Sequence, residues 1–257
     1  MEMNQAPGKV TVERLRIAGE EPIPTIIVRP TGVDSPPAVI IVHGYAGSKD
    51  DHLEEAVRIA AAGVTVVNID ARAHGERKNP AVLLDPPDPW DFYHIIAGTA
   101  RDVSVVADYL LAQPALCNGS LGLKGGSMGG YVALGVASHD RRFDPIFSVC
   151  GGADYSDDLL RRFGHVDGVE ELAALAANLD PLKHLSSFYP RRLLLVHGER
   201  DDIVPYAGQQ HLYHALSPLY VGEPDRLAFI SHPGYHATPL PLLEFGWQWL
   251  LGGLSAG

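Results

Sequence analysis

Two hydrophobic periods take turns along this chain. Short β-branched or aliphatic runs, VTVERLRI, PTIIVRP, AVIIVHG, VTVVNID, LGLKGGS, PIFSVCG, RLLLVHGE and RLAFISHP, recur over almost its whole length. The central runs are continuously apolar, the pattern of strands covered on both faces. The first run differs. It alternates at Val10 and Val12 and resumes at Leu15 and Ile17 after a one-residue slip, which predicts an antiparallel edge strand carrying a bulge.

Between the runs the period becomes that of a helix lying on a sheet. Leu53, Ala56, Val57, Ala60 and Ala61 form one such stripe. Ile96, Ala100, Val103, Ala107 and Leu110 form a second, ended by Pro114, and Leu242, Phe245 and Trp249 a third near the end of the chain. These stripes are core rather than function. Strand and helix periods in alternation predict an α/β protein with a largely parallel sheet. Two stretches break the rhythm. In HGERKNPAVLLDPPDPWDFYH the prolines argue against a regular element, which places Trp90, Phe92 and Tyr93 on an unusually aromatic loop. Residues 152–190 hold the helix-like GVEELAALAANL and are expected to form a small cap-like insertion.

Composition narrows the class. A chain of 257 residues that is 46% hydrophobic can bury one large core, and a single domain over residues 1–257 is expected. A formal net charge of −11 argues against nucleic acid or an anionic membrane surface as partner, since both select a basic face. MEMNQAPGKVTVERL lacks a basic segment followed by an apolar core, and no apolar run approaches the roughly 20 residues that span a bilayer. A soluble cytoplasmic protein is therefore expected, with Cys117 and Cys150 as buried reduced thiols.

The candidate chemistry begins at LGLKGGSMGGYVALGVAS, where a strand pattern runs through glycines and one serine into a helix pattern. A phosphate loop would need Lys then Ser or Thr after its last glycine, and a dinucleotide fingerprint would need GxGxxG. Neither is present. Gly125, Gly126, Ser127, Met128 and Gly129 read GxSxG, the small-residue turn that lifts a nucleophilic serine off a sheet at a helix N-terminus. A serine hydroxyl needs a base and a group to orient that base. Function in such sheets gathers at the carboxyl ends of strands. There, Asp201 and Asp202 follow RLLLVHGE, and His236 follows RLAFISHP, with His232 as its rival nearer the strand. Ser127, Asp201 and His236 stand in the α/β-hydrolase triad order. No HExxH or paired histidine spacing suggests a metal.

HGYAGS, DARAHGER, GGSMGG, HGERDDIVP and PGYHA, in this order at successive strand ends, resemble the α/β-hydrolases of the dienelactone hydrolase and prolyl-oligopeptidase-like esterase branch, over roughly residues 10–250. The resemblance implies a three-layer fold, an eight-stranded mostly parallel sheet flanked by helices, a serine acyl-enzyme mechanism and no cofactor. It also implies a GxxD turn, which Gly198 and Asp201 match ahead of Asp202. The oxyanion donors it implies are the amides of Tyr45, just after His43 and Gly44, and of Met128. His74 is expected to brace its loop by hydrogen bonds. Ala73 replaces a glycine of the family's RGHG pattern, so its backbone is expected to depart slightly, and Glu76 and Arg77 are expected to pair on the surface. Trp90, Phe92 and Tyr93 are the expected substrate wall, for a small-molecule ester of short or medium acyl length. Peptide hydrolysis, acyl transfer and a catalytically silent binding protein are the alternatives on the same fold. Peptidases of that group usually carry a further domain. Both a monomer and a homodimer remain open.

Overall fold

In the computed structural model, residues 8–80, 82, 88–156, 159–160, 164 and 167–254 are described. All eight predicted runs are strands: β1 (Val10–Ile17), β2 (Ile23–Pro30), β3 (Ala38–Val42), β4 (Thr65–Ile69), β5 (Leu121–Gly126), β6 (Phe143–Val149), β7 (Leu193–Gly198) and β8 (Leu227–His232). They make one sheet in the order β1-β2-β4-β3-β5-β6-β7-β8. Only the pairings of β2 are antiparallel. The continuous apolar runs follow from coverage on both faces. Ala38, Ile40 and Val42 of β3 enter one core with helices α2 (Pro89–Leu111) and α3 (Met128–His139), whereas Val39 and Ile41 enter a second with α1 (Leu53–Ala60) and the last helix. This is the α/β-hydrolase architecture.

Four expectations need correction. First, β1 pairs with β2 from Val10 opposite Pro30 to Ile17 opposite Ile23 without a register shift, so it has no bulge. Its slip has another cause: Val10 packs with the α1 side of the sheet, whereas Leu15 and Ile17 belong to the α2 side. Second, α2 starts at Pro89 and carries Trp90, Phe92 and Tyr93 on its first turns rather than on a loop. Proline at the first helical position gives up an amide that has no partner there anyway, and the Asp88 carboxylate caps the turn by accepting from the Trp90 and Asp91 amides. Third, the last helix, Leu240–Leu254, buries Gly246, Trp247, Leu250 and Leu254; of the predicted stripe, Leu242 and Trp249 pack partly buried against the same core, while Phe245 is exposed. Gly246 decides the face, because a Cβ there would stand 2.1 Å from the Phe147 ring. Fourth, Arg77 pairs in the interior, as described below.

The segment between β6 and β7 carries α4 (Val169–Leu179), whose Val169, Leu172, Ala173 and Ala176 join the α2–α3 core. Several of its residues lie outside those described. Between β7 and β8 runs α5 (Tyr206–Leu216), and α6 is the last helix. Among the described residues no helix is long and apolar enough to cross a membrane.

Lys124 interrupts an otherwise apolar β5. Its buried Nζ lies 2.8 Å from Glu55 Oε2 on α1 and 5.4 Å from the centre of the Trp247 ring. Glu55 also meets His52 Nδ1 at 2.8 Å and accepts from the Trp247 indole. Burial alone would raise the Glu55 carboxyl, but His52, Lys124 and Trp247 outweigh it and hold it at about 2. Unfolded glutamate titrates near about 4.3, so the site's contribution is complete above that pH and is lost as pH falls through about 2, a swing of about 3 kcal/mol. Glu55→Gln is expected to remove this part of the acid limb in denaturant unfolding measured from neutral pH down to about 2. Parallel stability curves for the two proteins would count against the coupling.

Candidate active site

β3 lies between β4 and β5, so the connections leaving β3 and β5 diverge and open a crevice at their carboxyl ends. His43, Gly44 and Tyr45 follow β3 at one wall, and Ser127 follows β5 at the other. Ser127 has φ +54° and ψ −121°, a strained backbone for a residue with a Cβ. Close packing holds it there. A Cβ on Gly125 would lie 1.9 Å from Gly129 O, and one on Gly129 2.1 Å from Val42 O, so strand and helix meet only if both are glycine. A Cβ on Gly126 meets nothing within 4 Å; that glycine is not a packing requirement. The Ser127 amide donates to Val149 O at 2.8 Å, fixing the turn to β6.

One imidazole joins three elements. His236 Nε2 is 2.8 Å from Ser127 Oγ and its Nδ1 is 2.7 Å from Asp201 Oδ2. Nδ1 faces a carboxylate and therefore carries the proton, which leaves Nε2 to accept from the serine hydroxyl. Asp201 Oδ1 accepts from the Ile203 and Val204 amides at 3.0 and 2.9 Å. Burial would raise the Asp201 carboxyl, yet those amides and His236 hold it below the usual carboxylate range. Asp201 is thus the member of its pair that faces His236, whereas Asp202 is exposed. His232 is buried and turned into its own loop, accepting from the Gly234 amide at 3.2 Å. The loops after β7 and β8 are tied together by Glu199 N to His232 O at 2.8 Å and Arg200 N to Gly234 O at 3.0 Å. These ties set Asp201 and His236 in register.

Two neighbours escaped the sequence reading. His197 Nε2, at the end of β7, lies 3.1 Å from Asp201 Oδ2, and both side chains are fully buried. Its Nδ1 meets the Gln209 amide at 3.1 Å. Oδ2 therefore sits between two imidazoles. The available signal was spacing, a histidine four residues before the carboxylate in HGERD. The second neighbour is Cys150, just after β6, whose Sγ lies close to Asp201 and His236.

The Tyr45 and Met128 amides have no acceptor among the described residues. The Gly44 turn lies directly beside the serine, since a Cβ on Gly44 would be 3.5 Å from Ser127 Cβ. His43 pins this turn, its Nδ1 donating to Gly44 O at 2.7 Å and its Nε2 accepting from the Ala71 amide at 3.0 Å. Burial pushes His43 down to about 4 and keeps it neutral. His74 is fully buried, donates to Arg72 O at 2.8 Å and sits edge-on to Tyr45 with ring centres 5.2 Å apart. Ala73 takes φ +59°, the left-handed region that glycine adopts without steric cost. Glu76 pairs with Lys49 and Arg16, and Arg77, nearly buried, pairs with Asp102 at 2.7 Å. Phe92 packs between Tyr45 and Tyr131, with ring centres at 5.7 and 5.3 Å. Half-buried Trp90 stacks on His94, whereas Tyr93 is buried in the core and donates to Tyr155 O at 3.2 Å.

The pattern of the prolyl oligopeptidase family matches residues 94–236, more than half of the chain and all of the segment from Ser127 to His236. The chain belongs to the prolyl oligopeptidase family. Within its wider kin, this family member is 28% identical over 207 residues to YitV of Bacillus subtilis (strain 168), covering 76% of this chain and 80% of that one. Esterase YjfP of Escherichia coli (strain K12) is also 28% identical, over 208 residues, with coverage of 76% and 81%. Among solved structures, TT1662 from Thermus thermophilus superposes with a TM-score of 0.74 at 27% identity, covering 97% of this chain and 100% of that chain.

Proposed function

We propose that this family member is a serine hydrolase cleaving carboxylic esters, with Ser127 as nucleophile, His236 as general base and then general acid, and Asp201 as the group that fixes the His236 tautomer. The observation that carries the reading is the single imidazole spanning Ser127 and Asp201 at 2.8 and 2.7 Å. In the first half-reaction Ser127 Oγ attacks the acyl carbonyl as His236 Nε2 takes its proton, and the imidazolium returns that proton to the departing alcohol. The Tyr45 and Met128 amides receive the oxyanion, a contribution of about 3 kcal/mol per donor. Water, activated by the same imidazole, then releases the acid.

The esterase name of YjfP agrees with an ester rather than an amide as substrate. Phe92, beside Tyr45, and Trp90 supply an apolar wall, with Tyr93 backing Phe92 from the core side at a ring distance of 5.6 Å. A wall made of fixed aromatic rings, with the segment holding α4 acting as a small cap, suits short or medium acyl groups. Two free, buried thiols, Cys117 and Cys150, fit a reducing compartment such as the cytoplasm. A panel of esters of graded acyl length beside aminoacyl amides tests the substrate class. The highest kcat/KM is expected on short or medium acyl esters; faster turnover of the amides would overturn the assignment in favour of a peptidase.

A further inference from the structure

β6 delivers Cys150 to the same end of the sheet where β7 delivers Asp201, because the two strands are hydrogen-bonded neighbours. Cys150 adopts φ +46°. Its Sγ, one carboxylate oxygen of Asp201 and one ring nitrogen of His236 all lie within 4.8 Å of one another, and Thr238 Oγ1 stands 3.4 Å from Sγ. Ester hydrolysis as derived above has no use for this thiol. Burial pushes it up, so in the metal-free protein it is a neutral S–H and no rival to Ser127.

We propose that Cys150, Asp201 and His236 form an inhibitory site for a thiophilic divalent cation, Zn²⁺ above all. The inference rests on the triad assignment for its effect on turnover, but not for binding itself. Thiolate, imidazole and carboxylate are the donor set that Zn²⁺ prefers. With every donor pair within 4.8 Å, some point lies within about 2.8 Å of all three, and bonds of about 2.0–2.3 Å need only small side-chain shifts from there. The Nδ1 to Oδ2 separation has to open as the ion replaces the proton between them. The Thr238 hydroxyl or a water completes the tetrahedron.

The balance is simple. Cys150 releases its S–H proton to solvent and binds as thiolate; Asp201 binds as carboxylate. His236 stays neutral, its proton moving from Nδ1 to Nε2 so that the Nδ1 lone pair can take the metal. Two negative ligands then cancel the charge of the ion, which suits donors as buried as Cys150 and Asp201. Moving the proton to Nε2 is what inhibits: that nitrogen can no longer accept from Ser127. The nucleophile is untouched, and a chelator restores it.

The test has two readouts on the intact protein. Turnover of a short-chain p-nitrophenyl ester is titrated with Zn²⁺ in a non-chelating buffer, for the wild type and Cys150→Ser, with Cys150→Ala as the second variant should the first fail to fold. Inhibition reversible by EDTA is expected, with the half-inhibiting Zn²⁺ concentration, taken for each protein relative to its own metal-free turnover, raised at least about 10-fold by loss of the thiolate. Separately, Co²⁺ is expected to give a thiolate-to-metal charge-transfer band with the wild type and with Ser127→Ala, absent in Cys150→Ser. Equal Zn²⁺ inhibition of wild type and Cys150→Ser, or no thiolate band in the wild type, overturns the site. A Cys150-dependent band in a protein that hydrolyses no ester would keep the metal site and sink the esterase reading instead.

Discussion

Ser127→Ala is expected to lower kcat for ester hydrolysis by a factor on the order of 10⁶ while leaving the fold intact. Both halves follow from the elbow. The hydroxyl's described partner is His236 Nε2 at 2.8 Å, so its loss removes the attacking atom and leaves no buried donor stranded. The backbone is held from outside the side chain, by the amide bond to Val149 O and by the contacts that make Gly125 and Gly129 obligatory. Alanine keeps the Cβ, and with it the strain of φ +54°. Ser127→Gly removes both, and is therefore expected to be equally inactive but more stable than Ser127→Ala by about 1 kcal/mol in denaturant unfolding. A fluorophosphonate probe checks the first half, because the wild type should acquire one covalent adduct on Ser127 and both variants none. Undiminished labelling of Ser127→Ala would place the nucleophile elsewhere.

What was legible in the sequence, and what was not, divides along a physical line. Strands buried on both faces have to be continuously apolar, so β3 to β7 announce themselves, and Ser127, Asp201 and His236 sit at strand ends in a distinctive order. Features that depend on two competing local rules are less legible. Pro89 in isolation reads as a breaker, although proline is favoured at the first helical position once Asp88 supplies the cap. The last helix has two apolar stripes, and contacts distant in sequence, of Gly246 with Phe147 and of Trp247 with Glu55 and Lys124, choose between them. The slip in β1 marks a change of covered face rather than an extra residue, which depends on how far the helices on each side extend over the sheet edge. His197 and Cys150 belong to a third kind. Each reads as an ordinary buried residue near a strand end; His197 meets Asp201 through the turn that follows β7, whereas Cys150 meets it only because β6 pairs with β7.

That convergence makes Asp201→Asn the most informative conservative change. The amide that replaces the carboxylate has one oxygen and one NH2, and the surroundings choose their places. Two backbone amides, of Ile203 and Val204, point at Oδ1, so the oxygen must stay there to accept them. The NH2 is then forced into the Oδ2 position, where it faces His236 Nδ1 at the site of the 2.7 Å hydrogen bond. A donor there requires Nδ1 to become the acceptor, which moves the ring proton to Nε2 and turns the base away from its task. The same NH2 would lie 3.1 Å from His197 Nε2, which already has Val204 O as its hydrogen-bond partner at 3.1 Å. The expected result is a fall in kcat of about 10⁴, equivalent to about 5 kcal/mol of transition-state stabilisation, with KM little changed. Exposed Asp202 provides the control: Asp202→Asn should leave kcat within about twofold, since a screened surface charge contributes little. Loss of turnover in Asp202→Asn with retention in Asp201→Asn would reverse the assignment, and an Asp201→Asn protein as fast as wild type would show that the tautomer of His236 does not limit the rate.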